Sequence, residues 1–122
     1  MNKKITLVLG ASTKLGRHAL LAAEKLQSKG IEIELLGKKE GKVGNIEIKT
    51  NIEEISTKID TVTIYLGKNN QIEYEDFLIK MRPNRVIFNP GSENFILQEK
   101  LKAQGTEVLE ACTLVMLSTG QY

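Results

Sequence analysis

The stretch Gly10-Ala11-Ser12-Thr13-Lys14-Leu15-Gly16-Arg17 combines what anion binding needs. Glycine and other small residues let the main chain approach a ligand closely, and the Ser12 and Thr13 hydroxyls can donate hydrogen bonds. Lys14 and Arg17 supply positive charge. The stretch follows the apolar run Leu7-Val8-Leu9 and precedes apolar residues at helical spacing. A strand that turns into a helix in this way presents the free N–H groups of the first helical turn to a phosphate. The expected chemistry is binding of a phosphate-bearing cofactor.

The rest of the chain reads as the frame for such a loop. Ile5 to Leu9 is an unbroken β-prone run, as in a buried parallel strand. Leu15, Ala19, Ala22, Ala23 and Leu26 fall on one helix face, and Gly30 stops that helix. Ile31, Ile33 and Leu35 alternate with Glu32 and Glu34 in a second strand that Gly37 ends. Residues 38–45 read as a Gly/Lys turn, 46–48 as a short edge strand, and Asn51 with Glu54 as the start of a short helix continued by Ile52, Ile55 and Ile59.

Val62, Ile64 and Leu66 give a further strand after Asp60. Tyr74, Phe77, Leu78 and Met81 give a helix, and Arg85 to Phe88 a strand. After the turn Asn89-Pro90-Gly91, Ser92 is the expected cap of a helix running to about Gln104. Glu107 to Leu109 reads as a short last strand and Ala111 to Ser118 as a closing helix.

Strand and helix therefore alternate. The fold class is α/β: a Rossmann-like three-layer domain over residues 1–122, with a parallel sheet of about five strands ordered 3-2-1-4-5 and helices on both faces. The strand around Val108 could extend the sheet. Ligands of such sheets sit beyond the C-terminal ends of the strands, here at loops 10–17, 37–43, 66–71 and 89–94.

Bulk properties narrow the function. A net charge of +2, no Trp and no basic run interleaved with aromatics argue against nucleic acid. The basic start Met1-Asn2-Lys3-Lys4 leads straight into a strand too short for a signal-peptide core, and no apolar run could span a bilayer. One cysteine excludes an internal disulfide and suits a reducing compartment, so a cytoplasmic location is expected.

The loop fits a nicotinamide dinucleotide imperfectly. Ser12 and Thr13 stand where the middle glycine of Gly-x-Gly-x-x-Gly would fall, and the second strand ends in Leu36-Gly37-Lys38-Lys39 without the ribose-binding acid. Those lysines suit an extra phosphate on the ribose, which NADP and coenzyme A both carry. A short-chain reductase would need a Tyr-x-x-x-Lys pair, but Asn69 follows Tyr65 and Leu78 follows Tyr74 at that spacing. An ATPase phosphate loop is not present, and a generic mononucleotide stays open.

The second half adds Phe88-Asn89-Pro90-Gly91-Ser92-Glu93-Asn94 and Glu107-Val108-Leu109-Glu110-Ala111-Cys112-Thr113-Leu114-Val115. With Gly10-Ala11-Ser12, these segments closely resemble the small stand-alone CoA-binding proteins, which are similar to the CoA-binding domain of the succinyl-CoA synthetase alpha subunit. The resemblance spans essentially the whole chain. Lys14-Leu15-Gly16 and Gly37-Lys38-Lys39 replace a proline-containing loop and an Asn-Pro pair common among relatives. The synthetase's catalytic histidine lies in a domain with no counterpart here, so the resemblance implies binding of free or acylated coenzyme A without chemistry of its own. The alternatives are an NADP-dependent reductase-like protein and a scaffold without ligand.

The resemblance implies that Gly10, Ala11, Ser12, Thr13, Lys14 and Arg17 take the pyrophosphate. Gly37, Lys38 and Lys39 would meet the 3′-phosphate or adenosine, and Leu66 and Gly67 the adenine or pantetheine arm. Asn89, Pro90, Gly91 and Glu93 would close the far wall. Plain roles compete: a tight turn at Gly10, a solvated turn at Lys38 and Lys39, a helix ion pair for Arg17, a cap for Glu93. His18, the only histidine, reads as a structural or surface residue, and Cys112 as a buried inert thiol. No metal site is expected. The half-exposed second strand and the apolar C-terminal segment leave room for a homodimer or for docking on a CoA-dependent enzyme.

Overall fold

A computed structural model describes residues 4–122; Met1 to Lys3, the basic start, lie outside the described residues. Seven strands form one sheet. They are β1 (Ile5–Leu9), β2 (Glu32–Leu36), β3 (Gly41–Val43), β4 (Ile46–Lys49), β5 (Ile59–Ile64), β6 (Arg85–Phe88) and β7 (Glu107–Glu110). The helices are α1 (His18–Ser28), α2 (Lys68–Gln71), α3 (Glu75–Met81), α4 (Phe95–Ala103) and α5 (Thr113–Ser118). The sheet order is β3-β4-β2-β1-β5-β6-β7, parallel throughout except for β3.

β1, β5 and β6 are buried on both faces; β1 and β6 are largely apolar runs, while β5 buries Thr61 and Thr63 beside Val62 and Ile64. On one face Leu7, Leu9, Val62, Ile64 and Phe88 pack with Leu78 of α3 and with Leu97 and Leu101 of α4. On the other, Val8, Leu35 and Ile48 pack with Ala19, Ala23 and Leu26 of α1 and with Leu117 of α5. The expected strand order is present, with β7 extending it. Among the described residues no helix is long and apolar enough to cross a membrane.

Four local expectations need correction. Residues 38–45 are not merely a turn: β3 pairs antiparallel with β4, so the sheet is mostly rather than wholly parallel. Gly44, with φ +62°, opens the two-residue Gly44-Asn45 connection, and Gly-Asn is a hairpin signal. The helix expected from Asn51 is only a 3₁₀ turn over Ile52–Glu54, capped by the Asn51 side chain accepting from Glu53 N–H at 2.9 Å. Ile59 instead enters β5 beside β1, where burial outweighs a short helix with its nucleation cost. Leu15 lies outside α1 and is exposed. Asn94, not Ser92, caps α4, accepting from Leu97 N–H at 3.2 Å.

Candidate functional site

The chain leaves β1 toward β2 on one side and returns through β5 on the other, so the sheet's switch point lies between β1 and β5. A cleft of about 300 Å³ opens there, at the C-terminal ends of the strands. Its first wall is Gly10, Ser12, Gly16, Arg17, His18 and Ala19; its second Tyr65, Leu66 and Gly67 after β5; its third Pro90, Gly91 and Ser92 after β6.

Each wall has a local cause. Gly10 has φ +93°, and a Cβ there would lie 3.0 Å from Leu66 and from the Tyr65 carbonyl oxygen. Only glycine lets β1 turn this close to the β5 loop. Ser12 Oγ accepts from Lys14 N–H at 3.0 Å, which leaves its proton free to donate. Gly16 (φ +85°) then delivers the chain to α1, whose cap residue Arg17 is extended and makes no side-chain cap. The first turn of α1 contains no acid, and neither does any cleft wall. Arg17 and His18 are exposed on that wall, and Arg17 forms no ion pair among the described residues. Uncapped helical N–H groups, a guanidinium and an imidazole therefore share a cleft without carboxylates, which is the arrangement a diphosphate requires.

The β5 and β6 walls are braced from behind. Asn89 Nδ2 donates to Thr63 Oγ1 at 2.7 Å and to the Ile64 carbonyl at 2.9 Å, while its Oδ1 accepts from Thr113 N–H at 2.8 Å. Fully buried Gln71 donates through Nε2 to the carbonyls of Leu66, at 2.8 Å, and Ser92, at 2.6 Å. Ser92 Oγ closes the turn by donating to the Asn89 carbonyl at 2.7 Å.

Of the residues expected here, Gly10, Ser12, Arg17, Leu66, Gly67, Pro90 and Gly91 come together around the cleft. The others do not. Asn89 is spent on its three internal bonds and supports the wall instead of lining the cleft. Glu93 Oε1 accepts from Gly91 N–H at 3.0 Å and steadies the turn. Ala11 and Gly37 serve packing: a Cβ on Gly37 would lie 2.4 Å from the Ala11 carbonyl oxygen. Thr13 leans toward the hairpin, where its Cγ2 would lie 2.8 Å from a Cβ on Gly41.

Lys14 is exposed outside the cleft. Lys38 pairs with Glu73, whose hydrogen bond and charge raise the ammonium pKa above its ordinary value. Lys39 is exposed and carries no ion pair among the described residues.

Sequence reasoning missed Gly16, His18, Ala19, Tyr65, Ser92 and the brace Gln71. His18 had a signal, since it opens the helix that the glycine loop delivers. Tyr65 had none. Burial pushes its phenol up to about 12, and its hydroxyl has no hydrogen-bond partner among the described residues. Thr63 and Thr113 lie close enough to lower it somewhat, but their hydroxyls bond each other at 2.7 Å. Cys112 is half-buried beside α5, not fully buried.

A model of the CoA-binding domain matches residues 4–118. The chain belongs to this CoA-binding domain family. Among solved structures, it is similar to an uncharacterized protein at 43% identity over 100% of both chains, with a TM-score of 0.93. A hypothetical protein from Pyrococcus horikoshii OT3 shares 24% identity over 96% of this chain and 82% of its own, with a TM-score of 0.83. Cell-free ID.343 from Thermus thermophilus shares 17% over 98% and 91%, with a TM-score of 0.85. The latter two likenesses bear on the fold alone. No curated protein matches the chain.

Proposed function

We propose that this CoA-binding domain holds coenzyme A, free or acylated, in the β1/β5 cleft and performs no chemistry on it. The observation that carries this reading is the pairing of Arg17 and His18 with the uncapped start of α1 in a cleft without a carboxylate. The diphosphate sits there, and Ser12 Oγ donates to it. At about 300 Å³ the cleft takes the diphosphate and its flanks, and the remainder of the ligand lies over the neighbouring loops. In this reading Lys39, beyond β2, meets the 3′-phosphate, and the arm leaves along Gly67 and Pro90-Gly91. A protein of this kind stores, senses or delivers coenzyme A, as a homodimer or docked on an enzyme that uses it, in the cytoplasm.

Calorimetric titration of ligand-stripped protein with coenzyme A, dephospho-CoA and NADP tests the reading. Preferential binding of coenzyme A, weaker binding of dephospho-CoA and little of NADP is the expected pattern. Absence of binding by all three would overturn it.

A further inference from the structure

We propose that Gln71 is a positioning residue for the ligand's arm, setting the spacing of the two loops along which the arm runs. The inference rests on the CoA reading and deepens it at the β5 and β6 walls. Helix α2, with four residues, is too short to hold itself in place. From Gly67 to Glu73 every residue but Gln71 is exposed. An anchor that only held this loop down would need bulk alone, which an apolar side chain supplies without desolvating an amide.

Gln71 instead sets one amide nitrogen between carbonyls of two different loops. The two hydrogens of Nε2 go to Leu66 on the β5 wall and Ser92 on the β6 wall. Oε1 accepts from Asn94 Nδ2 at 3.0 Å, so the amide is fixed in this orientation. A planar group with both hydrogens committed holds the two carbonyls at one mutual distance. Pairing of β5 with β6 ends at Ile64 and Phe88, and beyond it Gln71 ties one loop to the other.

In front of that tie, Gly67, Pro90 and Gly91 are exposed on the cleft walls. Gly67 has φ −65°, which any residue adopts. A Cβ there would meet only the Gly91 carbonyl oxygen, at an ordinary 4.0 Å. Neither backbone angle nor crowding therefore requires glycine at 67. Bare main chain at that point lets a ligand run close against it. The arm of coenzyme A is built around amides, and exposed main chain on both loops offers donors and acceptors to match. A shift of either loop breaks that match, and Gln71 is the side chain that prevents the shift.

The test is calorimetric titration with coenzyme A and with adenosine 3′-phosphate 5′-diphosphate, the same nucleotide without the arm. The ratio of the two affinities reads the arm. In the unmodified protein coenzyme A should bind at least about tenfold tighter, the worth of a pair of hydrogen bonds on the arm. Gln71→Met keeps the bulk and removes the amide, and the ratio should fall to about threefold or less. Gln71→Asn, a methylene short of spanning both carbonyls, should do the same and serves if the methionine variant does not fold. Gly67→Ala should also lower the ratio, because its methyl stands on the arm's path.

Gln98→Met is the control for a merely structural role. Gln98 is buried in the same network, accepting from Asn94 N–H at 2.8 Å and donating to Glu110 at 2.9 Å, and it lines no cleft wall. That variant should lose stability in urea and keep the ratio. An unchanged ratio in the Gln71 variants or in Gly67→Ala, or an equal fall in Gln98→Met, overturns the inference and leaves the CoA reading intact. A ratio near one in the unmodified protein does the same. Failure of both ligands to bind the unmodified protein removes the CoA reading, and the inference with it.

Discussion

The two ends of the sheet carry two depressions, and the larger is not the better candidate site. At the N-terminal ends of the strands lies a cavity of about 710 Å³ bordered by Lys4, Asp60, Arg85, Glu107 and Tyr122, against about 300 Å³ at the C-terminal ends. In the large cavity the two central charges, Arg85 and Asp60, already have partners, and carboxylates stand beside the cations. Arg85 donates to Thr61 Oγ1 and to the Tyr122 carbonyl, both at 3.2 Å, and its guanidinium lies 4.5 Å from the Tyr122 ring centre. The Tyr122 hydroxyl in turn bonds Thr6. Asp60 accepts from Asn84 at 2.8 Å and from Thr61 at 2.7 Å. In the small cleft no carboxylate is among the described lining residues, and the Arg17 guanidinium is unopposed. Unspent hydrogen-bonding capacity separates a binding surface from a structural one better than volume does.

If that contrast holds, substitutions at the two ends separate affinity from stability. The largest effect is expected behind the cleft. Asn89→Leu strands the buried Thr113 N–H and removes a donor from the Ile64 carbonyl, each costing about 1–3 kcal/mol, and should lower unfolding free energy in urea by about 2–6 kcal/mol while abolishing CoA binding. Gly10→Val comes next: a positive φ and a 3.0 Å contact with the β5 loop cost about 2–3 kcal/mol, with binding also lost.

On the cleft wall itself the two readouts should part. Arg17→Ala removes a charge-assisted contact of about 1.5–3 kcal/mol, so CoA affinity should fall at least about tenfold in calorimetry. The urea midpoint should not move, because Arg17 is exposed and forms no ion pair among the described residues. At the opposite end the signs reverse. Arg85→Met should cost about 1 kcal/mol of stability through the lost ring contact and hydrogen bonds and leave CoA affinity unchanged. A weakened CoA affinity in that variant would break the comparison.

The smallest effect sharpens the site's edge. Lys39→Glu should weaken CoA by a few-fold at low salt, less in high salt, and weaken dephospho-CoA less. Equal weakening of the two would remove Lys39 from the 3′-phosphate. Lys38→Glu is a poorer probe, since it also breaks the pair with Glu73.

Legibility followed sequence distance. The strand order was readable because buried parallel strands are unbroken apolar runs and helices repeat at their own period. The β3–β4 hairpin was missed where Lys and Gly obscured a three-residue strand whose one buried apolar residue is Val43. Asn89 and Glu93 lie in the right loop but act within it. Their roles depend on Thr113, 24 positions away from Asn89, and on a turn that brings Glu93 back to Gly91. Gln71 falls at the end of loop 66–71 with no local signal to single it out, and it is the brace between two loops.

From the sequence alone came the alternation of strand and helix, the glycine turn at residue 10 and the family resemblance carried by the turn after Phe88. These are local properties: periodicity, backbone freedom at glycine, and short motifs. Tertiary structure decided which charges were free. It paired Lys38 with Glu73 and left Arg17 on a cleft wall that holds no carboxylate among the described residues. A charge or an apolar side chain is spent or available according to what the strand order sets beside it, and that neighbour lies elsewhere in the chain.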